Sequence, residues 1–157
     1  MTDTAARLPF PLPPVIFLVA LIVGIGLDIV YPLPWFGDVL GDILFGFGWL
    51  AALGAVALWF TAIRMMFRAK TPLNPVAMPT QLLTGGPFGI SRNPIYLSLA
   101  TLVIGIALIT GNPWLIPLAF IAGFVTQKAV IEREEKTLAG KFGKKYHDYA
   151  KRVRRWI

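Results

Sequence analysis

The sequence predicts an all-α integral membrane protein: four transmembrane helices followed by an amphipathic C-terminal helix on the cytoplasmic side. Three observations carry that expectation. Hydrophobic residues make up 56% of the 157 and charged residues only 15%, with a mean hydropathy of +0.67, an apolar excess over ordinary soluble domains. Four apolar stretches, divided by proline- and glycine-bearing connections, are commensurate with the about 20 residues a helix needs to cross the hydrocarbon core. Ten of the fifteen Lys and Arg lie from Lys128 onward, so positive charge is gathered toward one end of the chain. The net charge of +7 accordingly reads as positive-inside asymmetry and attraction to anionic lipid rather than as a nucleic-acid footprint. The chain has no cysteine, which excludes disulfides, thiolate metal sites and cysteine nucleophiles. Residues 1–157 read as one domain.

The elements follow in order. Residues 1–14 lack a basic segment joined to a short apolar run and a small-residue cleavage site, so they read as a proline-rich lead rather than a signal peptide. The first span, 15–31, ends at Pro32 and Pro34. The second, 39–67, carries Arg64 and Arg68 near its inner end. Pro72, Pro75, Pro79 and Pro87 forbid a long helix in the following loop, because each removes a donor and restricts its predecessor. The third and fourth spans, 95–110 and 114–131, are separated only by Gly111-Asn112-Pro113 and read as an antiparallel hairpin. In the tail, 132–157, Leu138, Phe142, Tyr146, Tyr149, Val153 and Trp156 recur three and four apart among lysines and arginines. That pattern predicts an amphipathic helix on the bilayer surface or capping the bundle, with a bend near Gly143 where glycine costs about 1 kcal/mol against alanine.

Charge orients the bundle. The connections 32–38 and 111–113 carry no Lys or Arg, whereas the loop 68–92 and the tail do; both termini are expected to be cytoplasmic, at the inner membrane if the source is bacterial. Asp28 lies within the first span, where an acid is costly unless functional or near interfacial water. Gly37, Gly41, Gly46, Gly48, Ala51 and Ala55 read as positions for close helix packing.

Two polar blocks stand beside the apolar stretches. The first runs from Thr84 to Tyr96 and contains Gly85-Gly86-Pro87-Phe88-Gly89 and Arg92-Asn93-Pro94. Its glycines allow backbone to approach a ligand, and Asn93-Pro94 opens the third helix as N-cap and N1, a start able to hold an anion. The same residues also suffice for a plain turn and cap, and Arg92 for a positive-inside anchor. The second block is Arg133-Glu134-Glu135 followed by Phe142-Gly143 and Tyr146. Adjacent carboxylates on a helix point about 100° apart, so one can face a pocket, accepting from a ribose diol, while the other pairs with Lys or Arg; a solvated charged face is the alternative. His147 reads as part of the exposed tail.

In order and spacing, these blocks and the hairpin between them resemble the membrane methyltransferase superfamily of isoprenylcysteine carboxyl methyltransferases and phospholipid N-methyltransferases. The resemblance covers residues 82–156. It consists of Thr84 to Phe88, Arg92-Asn93-Pro94-Ile95-Tyr96, Glu134-Glu135, Phe142-Gly143-Lys144-Lys145-Tyr146-His147-Asp148-Tyr149 and Val153-Arg154-Arg155. Each piece is weak alone; their concatenation is specific.

The resemblance implies an enzyme that binds S-adenosylmethionine on the cytoplasmic side, between the loop before the third span and the emerging tail. It implies that Leu83, Phe88, Asn93, Pro94 and Tyr96 line the cofactor pocket and that Glu134 contacts the cofactor. It names no catalytic side chain and no metal. The implied acceptor is a small lipophilic molecule from the bilayer, methylated at a prenylcysteine-like carboxylate, a lipid amine or a thiol. Asn93 departs from the family histidine, which argues against proton transfer there but not against cofactor binding. The arginine that holds a prenylated carboxylate has no counterpart in Lys128-Ala129-Val130-Ile131, which argues against prenylcysteine unless Lys128 or Arg133 compensates. Two other readings stay open: an NADPH-dependent membrane reductase of related fold, and a non-catalytic lipid-binding membrane protein.

Overall fold

The computed structural model describes residues 13–71 and 79–157; residues 1–12 of the proline-rich lead, with Arg7, and Pro72 and Pro75 of the loop lie outside them, while Pro13 and Pro14 of the lead begin the first helix. Among the described residues the fold is helical, with no strand. α1 is Pro13–Val30, α2 Asp38–Arg68, α3 Pro94–Thr110, α4 Leu115–Thr126, α5 Glu132–Phe142 and α6 Lys144–Arg152. A short 3-10 turn, Gly86–Gly89, precedes α3. Three of the described helices are long and apolar enough to cross a membrane: α1, α2 and the continuous helix Leu115–Phe142. α3 is apolar but has 17 residues.

That continuous helix departs from the expected division at residue 131. α4 does not end there; a π turn over Gln127–Ile131 leads directly into α5. A π turn holds an extra residue, so it rotates the downstream helix by about 100° and re-aims the carboxylates of α5. The tail is two helices rather than one, because Gly143 takes φ 50° and ψ −123°, a positive-φ conformation that glycine adopts without a Cβ penalty.

α3 is central. It packs against α2 on one side and α4 on the other, and α1 lies against α4 and α3. The buried core between α1, α3 and α4 is built from Phe17, Ala20, Val103, Ala107, Leu115, Ala119 and Ala122. Toward α2 the contact is made by small residues: Gly48, Ala52, Ala55 and Ala62 are the buried positions of that helix. A Cβ on Gly105 would sit 2.9 Å from the Ala52 nitrogen and 3.0 Å from the Gly48 carbonyl oxygen. Close helix approach in a bilayer is made by such residues. Gly46 has open space around it and Gly41 faces only its own Phe36 carbonyl, so of the small residues expected to pack, Gly48 and Ala55 do and these two do not. Gly105→Ala should destabilise the α2–α3 pair by about 1–3 kcal/mol through overpacking against backbone that cannot yield. Thermal unfolding in detergent checks this, with Gly46→Ala as a near-neutral control.

The hairpin between α3 and α4 forms as expected. Gly111 is left-handed at φ 66° and closes α3 by donating to the Ala107 carbonyl. Asn112 then donates through Nδ2 to the Gly24 carbonyl at 3.0 Å and accepts from the Trp114 N–H at 3.0 Å. Its side chain thereby ties α1 to the hairpin. The outward faces of α1 and α2 carry large exposed apolar side chains such as Ile22, Leu50 and Phe60, the pattern of helices solvated by lipid. Asp28 lies near the end of α1, half-buried.

Candidate functional site

A cavity of about 350 Å³ opens where the start of α3, the π turn's continuation into α5 and the second half of α2 converge. That is within the range of small-molecule and cofactor sites, about 300–1,000 Å³. Leu83, Phe88, Asn93, Pro94, Tyr96 and Glu134 all line it. The fold thus brings together all six residues expected at the cofactor, from residues 83–96 and from α5, which are separated in sequence by most of the α3–α4 hairpin.

The polar side of the cavity is held by two adjacent carboxylates that face different ways. Glu134 turns into the cavity, where Oε1 accepts from the Tyr96 hydroxyl at 2.8 Å. Glu135 turns away and takes a two-pronged contact from Arg155, Nε to Oε1 at 3.0 Å and Nη2 to Oε2 at 2.7 Å. Arg92 approaches the same carboxylate at 3.3 Å, and its Nη1 donates to the Tyr146 hydroxyl at 3.2 Å. The planar guanidinium matches both oxygens of a carboxylate, which is why arginine suits this position.

The tail reaches the site through its last residues. The Arg92 N–H donates to the Arg154 carbonyl at 3.0 Å, while the Ser91 hydroxyl and Asn93 Nδ2 donate to the Arg155 carbonyl at 3.2 and 3.1 Å. Asn93 is therefore not the side-chain N-cap that its place before Pro94 predicts; it makes no cap hydrogen bond. The carbonyl of Arg155 can only accept, so the amide turns its nitrogen there and keeps Oδ1 as an acceptor. Pro94 does occupy the first turn of α3, where its missing N–H costs nothing.

α6 braces the loop. The Tyr149 hydroxyl donates to the Phe88 carbonyl at 2.6 Å, and Tyr146, Tyr149 and Val153 form a second buried cluster with Leu82, Leu138 and Phe142 packed on it. The apolar stripe of the tail thus turns inward onto the loop. Trp156 Nε1 donates to Gln127 Oε1 at 2.8 Å, tying the chain end to the π turn. Burial pushes the Tyr149 phenol up to about 12. Tyr146 is raised by burial and then by Glu135, so both hydroxyls keep their protons, Tyr149 as the donor to Phe88 and Tyr146 as the acceptor from Arg92. Arg155 is raised by its hydrogen bond to Glu135. His147 is exposed, as its place in the tail suggests.

Residues of the cavity that the sequence pattern does not single out form its apolar wall: Trp59, Ile63 and Met66 from α2, and Pro13 and Pro14 at the start of α1. Nothing local distinguishes these from lipid-facing positions of the same helices. Arg92, which suffices locally as a membrane anchor, also lines the cavity. Glu135 and Arg155 are visible as members of motifs, but their pairing across the fold is not.

The sequence pattern of phospholipid methyltransferases matches residues 42–145, a stretch that contains all six expected cofactor residues and well over half of the chain. No curated protein and no solved structure matches it. Three helices able to cross a membrane, together with that match, make this an integral membrane protein, and the chain belongs to the phospholipid methyltransferase family.

Proposed function

We propose that this protein is an S-adenosylmethionine-dependent methyltransferase acting on a small lipophilic acceptor at the cytoplasmic face of the membrane. The observation that carries the reading is the convergence of Leu83, Phe88, Asn93, Pro94, Tyr96 and Glu134 on one cavity with a polar side and an apolar wall. The residues fit the cofactor. Glu134 and Asn93 Oδ1 are acceptors for hydroxyl or amine donors, and Leu83, Phe88 and Pro94 offer apolar surface to a purine ring. When bound, S-adenosylmethionine supplies a methyl group already activated on a sulfonium.

The chain's own residues then have three tasks. Glu134, braced by Tyr96, orients the ligand through a carboxylate that cannot swing freely. The loop turn at Phe88, braced by Tyr149, presents its ring at a fixed depth. Trp59, Ile63 and Met66 exclude water from the acceptor side and offer the lipophilic chain a surface continuous with the bilayer. Fixing both reactants in a dry cavity is the main catalytic demand for a donor of this kind.

On this reading α3 is a fourth span beside the three longer helices. Its 17 residues rise about 25 Å against a core of about 30 Å, so the loop before it sits at the inner boundary rather than beyond it. Both termini are then cytoplasmic, with α5 and α6 at that face and their lysines and arginines beside anionic lipid. The partners are bilayer lipids and a lipophilic substrate, with no nucleic acid.

Calorimetric binding of S-adenosylmethionine, S-adenosylhomocysteine and NADPH to the protein in lipid nanodiscs tests it. Selective binding of the first two is expected. Selective binding of NADPH would replace this reading with a reductase, and binding of none of the three would replace it with a non-catalytic lipid-binding role.

A further inference from the structure

We infer that the chain end is a clasp held by lipid: anionic headgroups of the inner leaflet grip Lys151, Arg152 and Arg154, and that grip keeps the wall of the ligand cavity in place. The inference rests on the methyltransferase reading for its ligand and adds a partner, anionic phospholipid, that regulates the same site.

The chain end lies against the bilayer. Beyond α6 it returns to α4, where Trp156 Nε1 donates to Gln127 and a Cβ on Gly123 would stand 3.8 Å from the indole ring. Gly123 belongs to an apolar span whose nearby Phe120 and Phe124 are exposed. The indole therefore sits at the depth where tryptophan marks the boundary between hydrocarbon and headgroups. Ile157 beside it is 76% exposed, an apolar side chain that lipid can cover.

Unneutralised cations share that short segment. Lys151, Arg152 and Arg154 are all exposed, and Asp148 is the only acidic side chain among residues 143–157. The ion pairs among the described residues are Arg92–Glu135, Arg155–Glu135 and Lys128–Glu132, so no carboxylate of the described fold neutralises these three. Arg152 Nε reaches only the backbone carbonyl of Asp148, at 3.4 Å. Basic side chains at headgroup depth attract anionic lipid, and the attraction falls off within a Debye length. Lys144 and Lys145, at the other end of α6, stand about 10 Å further from the chain end along the helix axis.

The backbone of the same segment carries the cavity wall. The Arg154 carbonyl accepts from the Arg92 N–H at 3.0 Å, and the Arg155 carbonyl accepts from the Ser91 hydroxyl and Asn93 Nδ2. In the preceding helix the Tyr149 hydroxyl donates to the Phe88 carbonyl. Phe88, Arg92, Asn93 and Tyr149 all line the cavity. Gly143, at φ 50° and with open space beside it, is the link from α5, so the docked position of α6 depends on these contacts. A segment whose side chains face lipid and whose backbone holds the loop couples the two. Lipid that favours the docked position favours the complete cavity, and a ligand of the cavity favours the lipid contact in return.

The test compares the protein in nanodiscs of neutral phosphatidylcholine with the protein in nanodiscs containing about 30% phosphatidylglycerol. Two quantities are read. One is the affinity for S-adenosylhomocysteine, which has no net charge and so is not concentrated by the surface potential. The other is hydrogen exchange of the 143–157 amides without ligand. In the anionic discs the affinity should rise about 10-fold and the exchange should slow about 10-fold, and salt at about 0.5 M should erase both gains. The triple variant Lys151→Gln, Arg152→Gln, Arg154→Gln should keep the neutral-disc values and lose both gains. The double variant Lys144→Gln, Lys145→Gln should retain them. Equal values for the parent in the two discs overturn the inference with no variant involved, so a fold defect in the triple variant does not shelter it. Gains kept by the triple variant, or lost equally in the double variant, overturn the assignment to the chain end. Gains produced in neutral discs by soluble polyglutamate, and not by phosphatidylglycerol, overturn lipid as the partner in favour of an acidic protein. Failure of S-adenosylhomocysteine to bind in either disc counts against the cofactor reading, and the exchange measurement then decides the lipid contact alone.

Discussion

Glu135→Ala should release the C-terminal segment from the approach to α3 while leaving the helical bundle intact. The substitution removes the shared counter-ion of Arg92 and Arg155, whose pairing distances are 3.3 and 2.7 Å. Its side chain is 15% exposed, so the loss is that of a mostly buried pair broken from one side, about 3 kcal/mol at the lower end of the range because Arg155 keeps some water. Two guanidiniums are then left facing each other. Backbone amides of residues 143–157 and 88–93 should exchange hydrogen about 100-fold faster, since about 1.4 kcal/mol corresponds to a factor of ten. Amides of α2 and α3 should exchange as in the parent. The exposed Lys128–Glu132 pair, with side chains 54% and 33% exposed, is the contrast: Glu132→Ala should leave exchange at 143–157 as in the parent. Unchanged exchange at 143–157 in Glu135→Ala would show that backbone contacts such as Arg92 to Arg154 hold the segment without the charges.

Glu134→Ala should lower the affinity for S-adenosylhomocysteine by about 100-fold or more with the tail still protected. Two losses add: the carboxylate contact to the ligand, and the Tyr96 hydroxyl left without its acceptor in a half-buried position, together about 3 kcal/mol. The neighbouring glutamates therefore separate two quantities that a single substitution would confound. Glu134 should move ligand affinity, and Glu135 should move the order of the tail. Lys144→Ala, on the exposed face of α6, should change neither. Parent-like affinity in Glu134→Ala would remove that carboxylate from the site.

The contrast between those two residues marks how far the chain is legible by itself. A helical repeat of about 100° per residue already requires adjacent carboxylates to diverge, but it does not say which one faces inward. The π turn at Gln127–Ile131 decides that, and no residue within Gln-Lys-Ala-Val-Ile forbids an ordinary α turn there. In the same way, Asn93-Pro94 reads locally as a cap and first turn. Pro94 behaves as read because φ restriction is a property of the residue itself. Asn93 does not, because a carbonyl 62 residues away in sequence competes for its amide.

Apolar composition, the spacing of the long helices, the Gly111 turn and the two polar blocks were all determined by the sequence, since each depends on backbone propensity or on hydrophobicity summed over neighbours. The six cofactor candidates were likewise available from motif order. Only the tertiary structure decided which distant groups meet: α2 supplying an apolar wall through Trp59, Ile63 and Met66, and the chain end binding Ser91 to Asn93. It also decided that Arg92 lines the cavity. Lipid-facing and cavity-facing apolar residues have the same transfer preference, and a charged side chain carries no mark of its partner. Those distinctions arise from packing across the bundle, where long-range proximity overrides local pattern.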